Sequence, residues 1–250
     1  MPDHTIFNER PESQDRALKV IERLGYTIVP RSEAERKRGS RKAVLFTEEL
    51  QAFLSKQTYR FGSETRYFSG GAIARAMQAV DQNSAAGLYA SNKEIYELIC
   101  SGKSMEEELP DGTRQSFDIR YIDFEHPENN TFQVTDEFEV ERPNGRFARP
   151  DLVVLVNGIP LVVIECKKSS VDVMEGVAQN IRNWGEDYIP HLFRYAQLVM
   201  AMNPDKVLYG TCGTPAKYFV SWHEDDKDWL NDWCSCLLYT SDAADDSLRV

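Results

Sequence analysis

The stretch from Arg149 to Lys168 restricts the fold more than any other part of the chain. Leu152–Val156 and Leu161–Ile164 are apolar at every position, and Asn157-Gly158 lies between them. Asn-Gly suits the two positive-φ positions of a type I′ turn, so the runs are expected to pair as a hairpin. Both arms are apolar on both faces, which predicts a central sheet layer covered by helices on either side.

The flanks of that hairpin carry charge. Asp151 stands at the start of the first arm, and Glu165 and Lys167 at the end of the second, with Asp151 and Glu165 fourteen residues apart. Antiparallel arms joined by a tight turn bring the start of one beside the end of the other. The strand period of two then puts Glu165 and Lys167 on one face and turns Cys166 to the other. Ionised carboxylates on an apolar hairpin are costly unless neutralised. A hard divalent cation such as Mg²⁺ does this with a couple of carboxylates, with the Cys166 backbone carbonyl as a further oxygen ligand. Such a cation lowers the pKa of its water and stabilises charge on phosphoryl oxygens, and Lys167 is placed to position that water. The bland alternative is a solvent-exposed ion-pair set at a strand end.

The rest of the chain reads as α/β. Apolar Ala17, Leu18, Val20, Ile21 and Leu24 recur at helical spacing over Gln14–Leu24, and Gly25 is a C-cap stop. Val44–Ser55, Ala72–Val80 and Lys93–Ser101 also read as helices, so the first hundred residues are expected to be mainly helical. After the Pro110–Gly112 turn the period changes to two: Phe117, Ile119 and Tyr121, then Phe132, Val134, Phe138 and Val140, mark extended runs. Val171–Trp184 and Pro190–Met202 are expected to be helical, with short strands near Val207–Tyr209 and Tyr218–Ser221.

Composition narrows the class. In 250 residues, 42% apolar, there is material for one main domain. Lys and Arg number 29 against 40 Asp and Glu, a net charge of −11, which excludes a whole-surface polyanion binder but leaves room for a local basic cleft. Arg31–Lys42 is such a local excess, with six bases against Glu33 and Glu35. It reads either as a solvated loop or helix end, or as a phosphate-contacting patch that includes Arg36, Lys37 and Arg38. No apolar run approaches the roughly 20 residues of a membrane span, and Met1–Arg16 lacks the apolar core of a secretory signal, so a cytoplasmic protein is expected. Five scattered cysteines without a Cys-x-x-Cys pair suggest reduced thiols rather than disulfides or zinc. His4, His126, His191 and His223 are isolated and read as surface or structural residues. No phosphate-loop motif occurs, so ATP binding within these residues is not expected.

Residues 1–222 are read as the main domain and 223–235 as the start of a linker. The run Cys236–Asp245 resembles the translation of a transposase-type sequencing-library adapter, so 236–250 are expected to be a non-native read-through tail.

The Pro150-Asp151 start, the fourteen-residue spacing and Glu165-x-Lys167 resemble the PD-(D/E)xK nuclease superfamily. The longer stretch with Asp123-Phe124, Pro127, Asn129, Phe132, Arg149-Pro150-Asp151 and Asn157-Gly158 through Lys167 resembles the R (restriction) subunit of type I restriction-modification enzymes, over about Glu12 to Trp222. The resemblance implies a restriction-endonuclease-like mixed sheet flanked by helices, with a helical N-terminal part. It implies metal ligation by Asp151 and Glu165, water activation by Lys167, and a site-holding role for Gln179 on the following helix. Many members carry Tyr four residues after that Gln. Here Asn183 takes the place, with Trp184 beside it and Tyr188 later. Glu12 is the nearest candidate for an accessory acid, and Lys168 joins the candidate DNA contacts. The implied partners are double-stranded DNA and the methyltransferase and specificity subunits. The implied cofactor is Mg²⁺, with ATP used only by a motor domain absent from these residues. Rival readings are a related DNA-repair nuclease and a catalytically silent DNA-binding or assembly module of the same fold.

Overall fold

The structure is a computed structural model that describes residues 12–82 and 87–222. In chain order these form α1 (Glu12–Arg23), β1 (Thr27–Val29), α2 (Arg31–Arg38) and α3 (Thr47–Leu54), then a hairpin of β2 (Thr58–Phe61) and β3 (Glu64–Tyr67). Helices α4 (Gly70–Asp81) and α5 (Leu88–Ser101) precede a second hairpin, β4 (Lys103–Glu108) and β5 (Arg114–Ile119). Next come β6 (Phe132–Asp136), the short pair β7 (Val140–Glu141) and β8 (Phe147–Ala148), β9 (Leu152–Val156) and β10 (Ile159–Cys166). The described part closes with α6 (Val173–Asn183), α7 (Pro190–Phe193), β11 (Leu198–Asn203), β12 (Lys206–Gly210) and β13 (Val220–Ser221).

Seven of the described strands make one mixed sheet in the order β1-β6-β9-β10-β11-β12-β13. The β1–β6 and β10–β11 pairs are parallel and the other pairs antiparallel. This is the flanked mixed sheet that the hairpin's all-apolar arms call for, and all five residues of β9 are buried. The two faces divide by strand alternation. Leu152, Val154, Ile164 and Cys166 meet Ala17, Leu18 and Val20 of α1, while Val153, Leu155 and Val163 join the larger core under α3, α4, α5, α6 and α7. Each fully buried Val or Leu there contributes roughly 1.5–3 kcal/mol.

The Asn157-Gly158 turn is fixed from outside as well as within. Both residues have positive φ, at 50° and 81°. The Asn157 side chain accepts from the Thr131 amide at 2.8 Å and donates to the Tyr121 carbonyl at 3.0 Å. The Phe46 amide donates to the Gly158 carbonyl at 2.9 Å, and a Cβ on Gly158 would fall 2.3 Å from the Phe46 carbonyl oxygen. Gly158→Ala is therefore expected to cost about 3 kcal/mol or more, combining left-handed strain with a backbone clash. Urea denaturation checks it, and a change below about 1 kcal/mol contradicts this packing.

Two expectations change. Pro190–Met202 is not one helix: it stops at Phe193, and Leu198–Asn203 is a strand beside β10. A short apolar run of this kind has no periodicity that separates buried helix from buried strand. The described part of the first hundred residues is mainly helical, as expected, and also holds β1 and the β2–β3 hairpin. Finally, β4 and β5 pair over their full length from Lys103 to Ile119, so extended structure begins before the Pro110–Gly112 turn rather than after it. The expected linker and tail at 223–250, with His4 and His223, lie outside the described residues. None of the described helices is long and apolar enough to cross a membrane.

Candidate active site

The open end of the β9–β10 hairpin assembles the charged residues. Asp151 is half-buried just ahead of β9, and its Oδ2 accepts from the Cys166 amide at 2.7 Å, which ties the start of one arm to the end of the other. Glu165 is fully buried (0% exposed) near the end of β10, close enough to Asp151 for the two carboxylates to repel. Its Oε1 accepts from the Asn183 side-chain Nδ2 at 3.4 Å, and its Oε2 has no hydrogen-bond partner. Lys167 Nζ stands 4.0 Å from that Oε2 and donates to Gln179 Oε1 at 2.5 Å.

Two layers hold this arrangement. On one face α6 starts at Asp172, whose side chain caps the Met174 amide, and Gly176 lets the helix approach the strands. A Cβ on Gly176 would lie 3.0 Å from Ala201 Cβ and 3.5 Å from both Glu165 Cβ and Lys167 Cε. Gln179 and Asn183, four residues apart, share the α6 face turned toward the site. On the other face α1 reaches across: Ser13 Oγ donates to the Lys167 carbonyl at 2.8 Å and Gln14 Nε2 to the Asp151 carbonyl at 3.2 Å. Glu12 begins this helix, so the expected accessory acid starts the turn next to the site, while its side chain lies outside the described residues.

The electrostatics are those of an incomplete charge set. Burial, then the Asp151 carboxylate, push the Glu165 carboxyl well above its usual range, and Lys167 and Arg182 only partly oppose this. Cys166, on the α1 face, has its thiol pushed up by burial and by the same two acids. Among the described residues no three His, Cys, Asp or Glu side chains converge as a metal cage. Two carboxylates, one of them with a buried unsatisfied oxygen, nevertheless suit a cation that keeps water and substrate oxygens for its remaining positions.

The expected basic patch is built differently. Arg38 is buried, stacks 4.0 Å from the Phe138 ring centre and donates to the carbonyls of Ala43 and Glu139. Burial lowers its pKa to about 10. Lys37 is bonded to Glu49, and Arg31 and Arg41 pair with Glu139 at 2.6 and 2.7 Å. Arg31, Lys37, Arg41 and Lys42 of this run thus face acids from 137–141 and α3, and Lys37 and Arg38 are engaged within the fold rather than presented to a phosphate. Arg36 is exposed, 3.7 Å from Glu33, and Lys168 is exposed next to the site. Sequence reasoning passed over Ser13 and Gln14, polar residues at helical positions whose only signal is that they sit on a face otherwise turned inward, and it noted Asn183 only by its spacing from Gln179.

The family model described as type I restriction enzyme R protein N terminus matches residues 6–218. The chain belongs to this family. Relatives of the R-protein family member described here include the HindI endonuclease subunit of Haemophilus influenzae, 26% identical over 89% of the chain and 21% of the relative. A type I restriction endonuclease subunit of Methanocaldococcus jannaschii is 33% identical over 54% of the chain and 13% of its own length. One from Staphylococcus aureus is 30% identical over 63% of the chain and 15% of its own length. The chain therefore spans about a fifth or less of these restriction subunits.

Proposed function

We propose that this R-protein N-terminal region is a Mg²⁺-dependent DNA endonuclease domain that hydrolyses phosphodiesters. The observation that carries the reading is Glu165: a fully buried carboxylate with one unsatisfied oxygen, beside Asp151 and on the face that also carries the Lys167 amine. Such a group is unfavourable alone and becomes favourable when a cation joins it. When bound there, Mg²⁺ would acidify a water and hold charge on the phosphoryl oxygens.

The chain's own residues do the rest. Asp151, tied to the Cys166 amide, and Glu165, tied to the Asn183 amide, present oxygens from fixed strand ends, and the Cys166 carbonyl is the further candidate ligand. Gln179 draws the Lys167 amine across the α6 face, where it can orient or take a proton from the attacking water. In the whole subunit, target choice would fall to the specificity and methyltransferase partners, and ATP would serve a motor domain beyond these residues, in the cytoplasm.

The reading is tested by calorimetry, titrating Mg²⁺ into the chain with a short DNA duplex present. Binding is expected for the wild type and at least about tenfold weaker binding for Asp151→Ala. Equal heats for the two proteins would favour a catalytically silent module instead.

A further inference from the structure

Several cations of this protein are matched by carboxylates, as in the Arg31, Arg41 and Lys42 pairs with Glu139 and Glu141. Arg142 and Arg182 are arranged otherwise. The Arg142 guanidinium lies over the Tyr188 ring at 3.8 Å from its centre, and the Arg182 guanidinium lies over the same ring at 5.6 Å. Arg142 Nε donates to the Asp187 carbonyl at 3.1 Å, which fixes this guanidinium over the ring. Among the described residues neither guanidinium has a carboxylate within ion-pair distance, although the exposed Glu186 and Asp187 sit in the adjoining loop.

The position of this stack matters more than its charge. Arg182 follows Gln179 by three residues on α6 and lines the same 280 Å³ recess as Lys167, Glu175 and Gln179. Arg182 therefore stands at the rim of the Lys167 site, and the shared Tyr188 ring couples it to Arg142, which itself borders a different recess with Lys42, Glu141 and His191. Guanidinium forks match phosphate oxygens bidentately, and stacking on a ring fixes their direction before any ligand arrives.

We propose that Arg142 and Arg182, held by Tyr188, form a clamp for a DNA backbone phosphate next to the bond being cut. The proposal rests on the nuclease reading and adds the contact that positions the substrate. Glu175, Glu186 and Asp187 oppose a long-range pull on DNA here, so the clamp acts at contact distance and determines placement.

The test is fluorescence anisotropy with a short fluorescein-labelled DNA duplex in Ca²⁺ buffer, using the full chain over a salt series. The Arg142→Ala/Arg182→Ala double variant is expected to bind about tenfold more weakly, with a log–log salt slope shallower by about two. Tyr188→Leu should lose part of the affinity and Tyr188→Phe none. Arg182→Gln, exposed on α6 and safe for folding, should by itself flatten the slope by about one. Arg66→Ala, a paired arginine on the β2–β3 hairpin, should bind like the wild type. Wild-type affinity and slope in the double variant, an equal loss with Arg66→Ala, or no duplex binding by the wild type at low salt would each overturn the clamp. Failure of the nuclease reading appears separately, in Mg²⁺ calorimetry and cleavage.

Discussion

Asp151→Asn and Lys167→Ala should each reduce Mg²⁺-dependent DNA cleavage by about a thousandfold or more, because the first removes a carboxylate that would hold the cation and the second the amine that would position its water. Asparagine is the better probe at 151. It keeps an oxygen for the Cys166 amide, so the hairpin end stays tied while the negative charge is lost. Alanine there would also orphan a buried N–H at a cost of about 1–3 kcal/mol, which mixes folding with function. Lys167→Ala frees Gln179 but leaves the Lys167 main chain bonded to Met202 at 2.7 Å and to Ser13, so the strand end should hold. Cleavage is best read under single-turnover conditions in the assembled restriction complex, with a thermal melt of each variant alongside. Undiminished cutting by both would remove the site assigned here.

The second large effect concerns stability without metal. The folded chain holds the Glu165 carboxyl above its ordinary value of 4.5, so the protonated form is the one the fold prefers. The stability that this proton confers is complete below the unfolded value and is lost as pH rises through the folded one. Glu165→Gln has no charge to bury and keeps an acceptor for Asn183. In EDTA it should match the wild type near pH 4 and exceed it by about 3 kcal/mol at pH 8, the scale of an uncompensated buried charge. Adding Mg²⁺ at pH 8 should raise the wild-type melting temperature and leave that of Glu165→Gln unmoved. Parallel pH–stability curves for the two proteins would mean that Glu165 titrates normally.

The hairpin, its turn and the side-by-side placement of Asp151 and Glu165 were legible in sequence, because each follows from local rules: Asn-Gly requires positive φ, and strand alternation assigns faces. The sorting of Cys166 to the α1 face and Glu165 to the α6 face follows from the same period of two. What sequence did not show depends on long-range partners. The basic run from Arg31 could read as a phosphate patch because its partners, Glu137 to Glu141, come a hundred residues later, and only the fold brings them together. Leu198–Asn203 looked helical because Leu, Met and Ala favour helices in isolation. Its parallel pairing with Val162–Cys166 overrides that preference. Asn183 stands four residues after Gln179, and its side-chain amide meets Glu165, a contact that no spacing rule reveals.

The grip of α1 on the strand ends has a practical consequence. A single twelve-residue helix holds the carbonyls of Asp151 and Lys167 through Ser13 and Gln14, while its apolar stripe packs behind Cys166. Any event that frays this helix, whether a protease nick near Leu24 or a bulky fusion ahead of it, would loosen both sides of the acidic pair together. Hydrogen exchange at α1 amides should therefore report the integrity of the Asp151–Glu165 pair, although the Glu165 side chain lies on the opposite side of the sheet.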